Sequence, residues 1–127
     1  MTLPRQTFDV DAFLAKIGEG RSIQQFDKDQ VIYTQGDRSD AVFYIQSGNV
    51  KATVVSDQGK EAILAILGPD EFFGEACLSM QTKRLATTSA IKKAVIMRLE
   101  KAAVIRVIQG EPEFSEVFIA HLLTRTN

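Results

Sequence analysis

The spacing of hydrophobic positions changes period twice along the chain. From Asp9 to Gly18, the residues Val10, Phe13, Leu14 and Ile17 fall at i, i+3, i+4 and i+7. That stripe predicts a short amphipathic helix, with Asp9 suited to cap its start and Gly18 to stop it. From Ser22 to Leu67 the pattern becomes a series of β-rich runs: Ser22–Phe26, Val31–Thr34, Ala41–Gln46, Val50–Val55 and Ala62–Leu67. Turn residues separate them at Gly36-Asp37, Ser47-Gly48-Asn49, Asp57-Gln58-Gly59 and Gly68-Pro69-Asp70. Gly36, Gly48, Gly59 and Gly68 lie 12, 11 and 9 residues apart. This punctuation predicts an antiparallel sandwich or barrel rather than alternating strand and helix. The runs between the glycines differ, so the chain is not a sequence repeat. Several strands are apolar on both faces, which predicts a sheet covered on both sides for part of its length. By the same pattern Val50, Ile63 and Leu64 read as core residues.

Glu75 to Met80 reads as a turn or two of helix between strands. The strands Ala86–Ile91 and Ala94–Leu99 follow, with Lys92-Lys93 a solvated turn between them. The helical period then returns over Glu100 to Gln109, and Gly110 ends it. Pro112 suits the first turn of a last helix. There Phe114, Val117, Phe118 and His121 form one stripe, widened by Ile119, Leu122 and Leu123. A face that wide calls for two partner surfaces, the β domain and a second copy of the helix.

Composition narrows the chemistry. The 127 residues make one domain, with 45% hydrophobic and 24% charged residues, ordinary for a soluble globule. A net charge of −1 gives no general attraction for nucleic acid or anionic membrane. No apolar run approaches a membrane span, and the start reads as no signal peptide, so a cytoplasmic location is the default. The single cysteine, Cys77, excludes an internal disulfide and a cysteine-held metal, and reads as a small packing residue. The single histidine, His121, argues against a cupin-type metalloenzyme and reads as a packed helix residue. No spacing suggests a triad or a metal site, so the chain reads as a binding domain and not an enzyme.

The chemistry concentrates between Phe72 and Ile91. Gly74-Glu75 is followed by Arg84 and then by the small residues Ala86-Thr87-Thr88-Ser89-Ala90. An arginine offers a planar fork of donors to a phosphate. A helix starting near Gly74 would aim backbone amides at the same charge. Glu75 would be repelled by phosphate, so its partner would be a hydroxyl donor such as a ribose. Gly74 would let the backbone approach a ligand closely.

Phe73-Gly74-Glu75, the spacing from Glu75 to Arg84, and Arg84-Leu85-Ala86-Thr87 resemble the phosphate-binding cassette of cyclic nucleotide-binding domains. Gly59-Lys60-Glu61-Ala62-Ile63-Leu64 fits upstream, so the resemblance covers nearly the whole chain. Such domains occur in bacterial transcription regulators of the catabolite activator (Crp/Fnr) type, in regulatory subunits of cyclic-AMP-dependent protein kinase, and in cyclic-nucleotide-gated channels. The resemblance implies a mainly β fold: a double-stranded β-helix, or jelly-roll-like β-roll, with an N-terminal helix and a C-terminal dimerisation helix. It implies a ligand, cAMP or cGMP, and no further cofactor. Arg84 would hold the phosphate and Glu75 the ribose 2′-hydroxyl, while Gly74, Ala76, Cys77, Leu85 and Ala86 would supply backbone. Val50, Ile63 and Leu64 would wall the base. The segment departs from the usual motif at Ala76, where Leu is common, and at Leu85, where Ala or Ser is common. Leu85 removes a hydroxyl contact and sets a bulky chain beside the phosphate. The expected whole is a sensor domain over residues 1–127, ending inside the dimer helix and reaching DNA only through a further domain. The alternatives are a ligand-independent interaction module, or the regulatory domain of a channel, kinase or transporter.

Overall fold

The structure, a computed structural model, describes residues 10–79 and 82–124, with only the backbone described at 113, 114, 121, 123 and 124. Asp9 as a cap, Met80 as a turn end, and the side chains of Phe114, His121 and Leu123 lie outside the described residues.

The chain order is α1 (Val10–Ile17), a 3-10 turn (Gly18–Gly20), β1 (Arg21–Phe26), β2 (Val31–Tyr33), β3 (Ala41–Ser47), β4 (Val50–Val55), β5 (Glu61–Leu67) and β6 (Phe72–Phe73). A second 3-10 turn (Glu75–Leu78), β7 (Thr87–Ala90), β8 (Ala94–Glu100), α2 (Lys101–Gly110) and α3 (Pro112–Thr124) complete it. The strands form two antiparallel four-stranded sheets, ordered β1-β8-β3-β6 and β2-β7-β4-β5. This is the mainly β roll with flanking helices that the periodicity and the resemblance predict. No helix among the described residues is long and apolar enough to cross a membrane.

Two apolar strands that are buried on both faces, β3 and β6, belong to the first sheet. Successive strand residues point to opposite faces, and in β3 they divide accordingly. Val42 and Tyr44 join a core with Phe13, Ile17, Val104 and Phe118, while Ala41, Phe43 and Ile45 face a second core between the sheets. The two residues of β6 divide the same way, Phe72 to the helices and Phe73 to the inter-sheet core. Aromatic contacts lock the helical side: Phe13 stacks on Phe118 at 4.8 Å between ring centroids, and Phe72 meets Phe118 edge-on at 5.4 Å. Here too Tyr44 donates a hydrogen bond from its hydroxyl to Asp70 Oδ1 at 2.6 Å. Burial, reinforced by that carboxylate, pushes the phenol well above its ordinary pKa.

Two local expectations change. β5 is apolar on both faces yet exposed, with Ile63, Leu64 and Ile66 each more than half accessible, because it is the outermost strand of its sheet. Its apolar run is therefore no sign of a core. The turn expected at Gly68-Pro69-Asp70 is present, with Asp70 left-handed (φ 71°). The helix expected after Gly74 is a 3-10 turn ending at Leu78.

Candidate functional site

Main-chain bonds fix the start of the Arg84 side chain. Gly36 N donates to Arg84 O at 2.8 Å, Arg84 N donates to Asp37 O at 2.7 Å, and Ser39 N donates to Thr82 O at 2.8 Å. Arg38 and Lys83 pair as an antiparallel bridge. The loop between β2 and β3 therefore clamps the chain on both sides of Arg84, and the side chain turns inward.

It is only 6% exposed. Nη1 donates to Gly74 O at 2.9 Å and Nη2 to Ala41 O at 2.7 Å. The guanidinium carbon lies 4.2 Å from the Tyr33 ring centroid and 5.5 Å from that of Phe43. Carbonyl dipoles and aromatic faces favour a cation, but neither supplies a full negative charge. Arg84 forms no ion pair among the described residues, and its Nε is buried without a hydrogen-bond partner. A buried charge is costly unless paired. The chemistry left unmet at Arg84 is that of a counter-anion.

Gly74 makes the close packing against Arg84 feasible. Its φ is +76°, and a Cβ there would lie 2.7 Å from Arg84 Nη1 and 3.3 Å from the Phe43 ring. Gly74→Ala is expected to lower stability by roughly 1–3 kcal/mol through the left-handed backbone and the displaced guanidinium. Urea unfolding checks this. The midpoint should fall with the slope unchanged, and an unmoved midpoint would contradict the packing described.

A cavity of about 480 Å³ opens beside Arg84, within the roughly 300–1,000 Å³ of small-molecule sites. Its floor is one row across the second sheet: Tyr33 pairs with Thr88, Thr88 with Ala52, and Ala52 with Ala65. All four line the cavity. Leu64 and Leu67 add apolar surface from β5, and Gly74, Glu75 and Ala76 border the charged end with Arg84. The cavity is thus cationic at one end and apolar at the other, an arrangement that suits an anion joined to an apolar body.

Of the residues expected at the site, Gly74, Glu75, Ala76, Arg84, Leu85, Ala86 and Leu64 line this cavity. Leu85 is 64% exposed, so its bulk lies largely in solvent. Three expected residues are elsewhere. Val50 is fully buried in the core between the sheets. Ile63 does not line the cavity and is 57% exposed, whereas its neighbour Leu64 lines it. Cys77 is fully buried: its amide donates to Gly74 O at 3.4 Å to close the turn, and its thiol donates to Ala41 O at 3.4 Å. Burial pushes the Cys77 thiol up, against the opposing pull of the Arg84 cation. Tyr33, Ala52, Ala65, Phe73 and Thr88 are lining residues that sequence reasoning missed. Strand register alone would have found Tyr33, Thr88, Ala52 and Ala65, by placing them in one row.

Comparison with known proteins agrees with this geometry. The family model described as a cyclic nucleotide-binding domain matches residues 23–111. The CRP-like cAMP-activated global transcriptional regulator of Mycobacterium tuberculosis is 29% identical over 105 residues, covering 80% of this chain and 47% of the regulator. The lysophospholipase nte1 of Aspergillus fumigatus is 28% identical over 110 residues, covering 87% of this chain but 7% of that enzyme. The chain thus spans less than half the length of these curated relatives. Among solved structures, the sensor domain of the transcriptional regulator DNR from Pseudomonas aeruginosa superposes with a TM-score of 0.79 at 26% identity, over 90% of this chain and 77% of that one. The catabolite activator protein of Thermus thermophilus superposes at 0.78 with 27% identity, over 92% of this chain and 53% of that one.

Proposed function

Since this chain belongs to the cyclic nucleotide-binding domain family, we propose that its cavity binds a 3′,5′-cyclic mononucleotide and that the domain is the sensor of a transcription regulator of the catabolite activator type. The observation that carries this reading is Arg84, a buried cation beside an open cavity with no ion pair among the described residues. The cyclic phosphate supplies the missing charge and accepts hydrogen bonds from the guanidinium. Glu75, at the same end of the cavity, accepts from the ribose 2′-hydroxyl. The base lies against Leu64 and Leu67. The chain itself catalyses no reaction in this reading.

Signalling follows as a population shift. Binding draws Arg84 away from the carbonyls of Gly74 and Ala41, which loosens the turn after Gly74. Phe72 and Phe73, just before that turn, join the helical core to the inter-sheet core. A shift there reaches α3 through the Phe72–Phe118 contact. In the whole protein, α3 would carry the change to a homodimer partner and to a DNA-binding domain in the cytoplasm.

Calorimetric titration with cAMP and cGMP tests the reading. One saturable site per chain, with one base preferred, is the expected result. Absence of heat with either nucleotide up to millimolar concentration would overturn it.

A further inference from the structure

Two side-chain nitrogen or oxygen atoms among the described residues are buried without a hydrogen-bond partner: Arg84 Nε and Thr88 Oγ1. Both residues line the same cavity. Thr88 is 1% exposed and lies in the floor row between Tyr33 and Ala52. The Arg84 guanidinium lies over the ring of Tyr33, the residue paired with Thr88 in the strand register, so both unpartnered atoms belong to neighbours of one aromatic residue.

Burying a hydroxyl without a partner costs free energy, and folded proteins hold few such groups. Valine has nearly the same shape and, like threonine, favours strands, so strand formation in β7 does not call for the hydroxyl. Its neighbour Thr87 differs, because its Oγ1 accepts a hydrogen bond from Gln35 N at 2.8 Å. Rotation about χ1 moves a threonine's hydroxyl and methyl together from one staggered position to the next. At Thr88 such a rotation would turn the unpartnered hydroxyl out of its present sealed position, in a residue that lines the cavity.

We infer that Thr88 is a further ligand-binding residue, its hydroxyl donating to a ligand oxygen next to the group held by Arg84. The inference rests on the cyclic nucleotide reading and adds to it a polar contact from the sheet floor. A ligand whose acceptor oxygens reach both Arg84 and Thr88 is retained more tightly than one with a single charged group at the cavity end.

The test uses cAMP and cGMP titrations of the wild-type chain, Thr88→Val and Thr88→Ser, with thermal melts of each protein without ligand. Thr88→Val is expected to weaken binding of the preferred nucleotide about tenfold, the scale of one lost hydrogen bond that leaves its partner unsatisfied. Without ligand it should melt at the wild-type temperature or above, because the deleted hydroxyl has no partner there. Thr88→Ser keeps the hydroxyl and should bind within about threefold of wild type. If wild type binds and Thr88→Val binds equally well, the Thr88 contact is wrong while the cyclic nucleotide reading stands. If wild type binds neither nucleotide, both fall together. A Thr88→Ser variant as weak as Thr88→Val would also overturn the hydroxyl contact, since the methyl would then be what matters.

Discussion

Arg84→Ala should lose cyclic nucleotide binding by roughly 2–5 kcal/mol, the range for removing one partner of a desolvated charged pair. This corresponds to roughly thirtyfold to several thousandfold in Kd. The expectation follows from the position of the guanidinium, which is buried, aromatic-backed and bonded only to backbone carbonyls. Arg84→Lys should fall between, because an ammonium restores the charge without the planar fork that also reaches Ala41 O. Circular dichroism of each variant would establish that the β-roll persists, and calorimetry would then read the loss. Binding by Arg84→Ala within twofold of wild type would place the phosphate elsewhere.

The largest effect on stability should come from Phe118→Ala. Phe118 is fully buried, stacked on Phe13 and edge-on to Phe72, and among the described residues of α3 it is the one fully buried in the core, with Leu122 packed partly against it. Truncation of a buried phenylalanine costs about 3–5 kcal/mol through lost burial and the cavity left behind. For a domain of this size that lowers Tm by roughly 10 °C or more. Ile119→Ala is the control. It is 50% exposed, so its loss should stay below about 1 kcal/mol. Thermal unfolding monitored at one protein concentration checks both. Equal effects of the two variants would mean that α3 is not seated on the core through Phe118.

The parts of this fold legible in the sequence were those set by local period and turn chemistry. Val10, Phe13, Leu14 and Ile17 announced α1, and the turn-separated runs announced the strands to within a residue or two, except for the two-residue β6, which lies inside the Phe72–Ile91 segment read for its chemistry. The doubly apolar run Ala41–Ile45 announced a covered sheet, and β3 is indeed buried on both faces. The same logic failed for Ile63 and Leu64, because apolar content does not reveal whether a strand is central or at an edge. Those side chains are exposed on β5. The charged end of the site was legible because Gly74, Glu75 and Arg84 lie within one short segment. Its floor was not. Tyr33, Thr88, Ala52 and Ala65 come from four strands and meet only through pairing register. A single sequence does not fix that register. Cys77 illustrates a further limit: proximity to Gly74 in sequence suggested a backbone donor, but a 3-10 turn consumes its amide within the turn.

The central claim is that one cavity, cationic at Arg84 and floored by the Tyr33–Thr88–Ala52–Ala65 row, holds a cyclic nucleotide. The most direct measurement is a two-dimensional amide NMR titration of the labelled chain with cAMP and then cGMP. Saturable shift changes are expected at Gly74, Glu75, Ala76, Arg84, Ala86 and Thr88, extending into Tyr33, Ala52 and Ala65. Unchanged spectra at millimolar nucleotide, or changes confined to the surface of α2 and α3 away from Arg84, would contradict it.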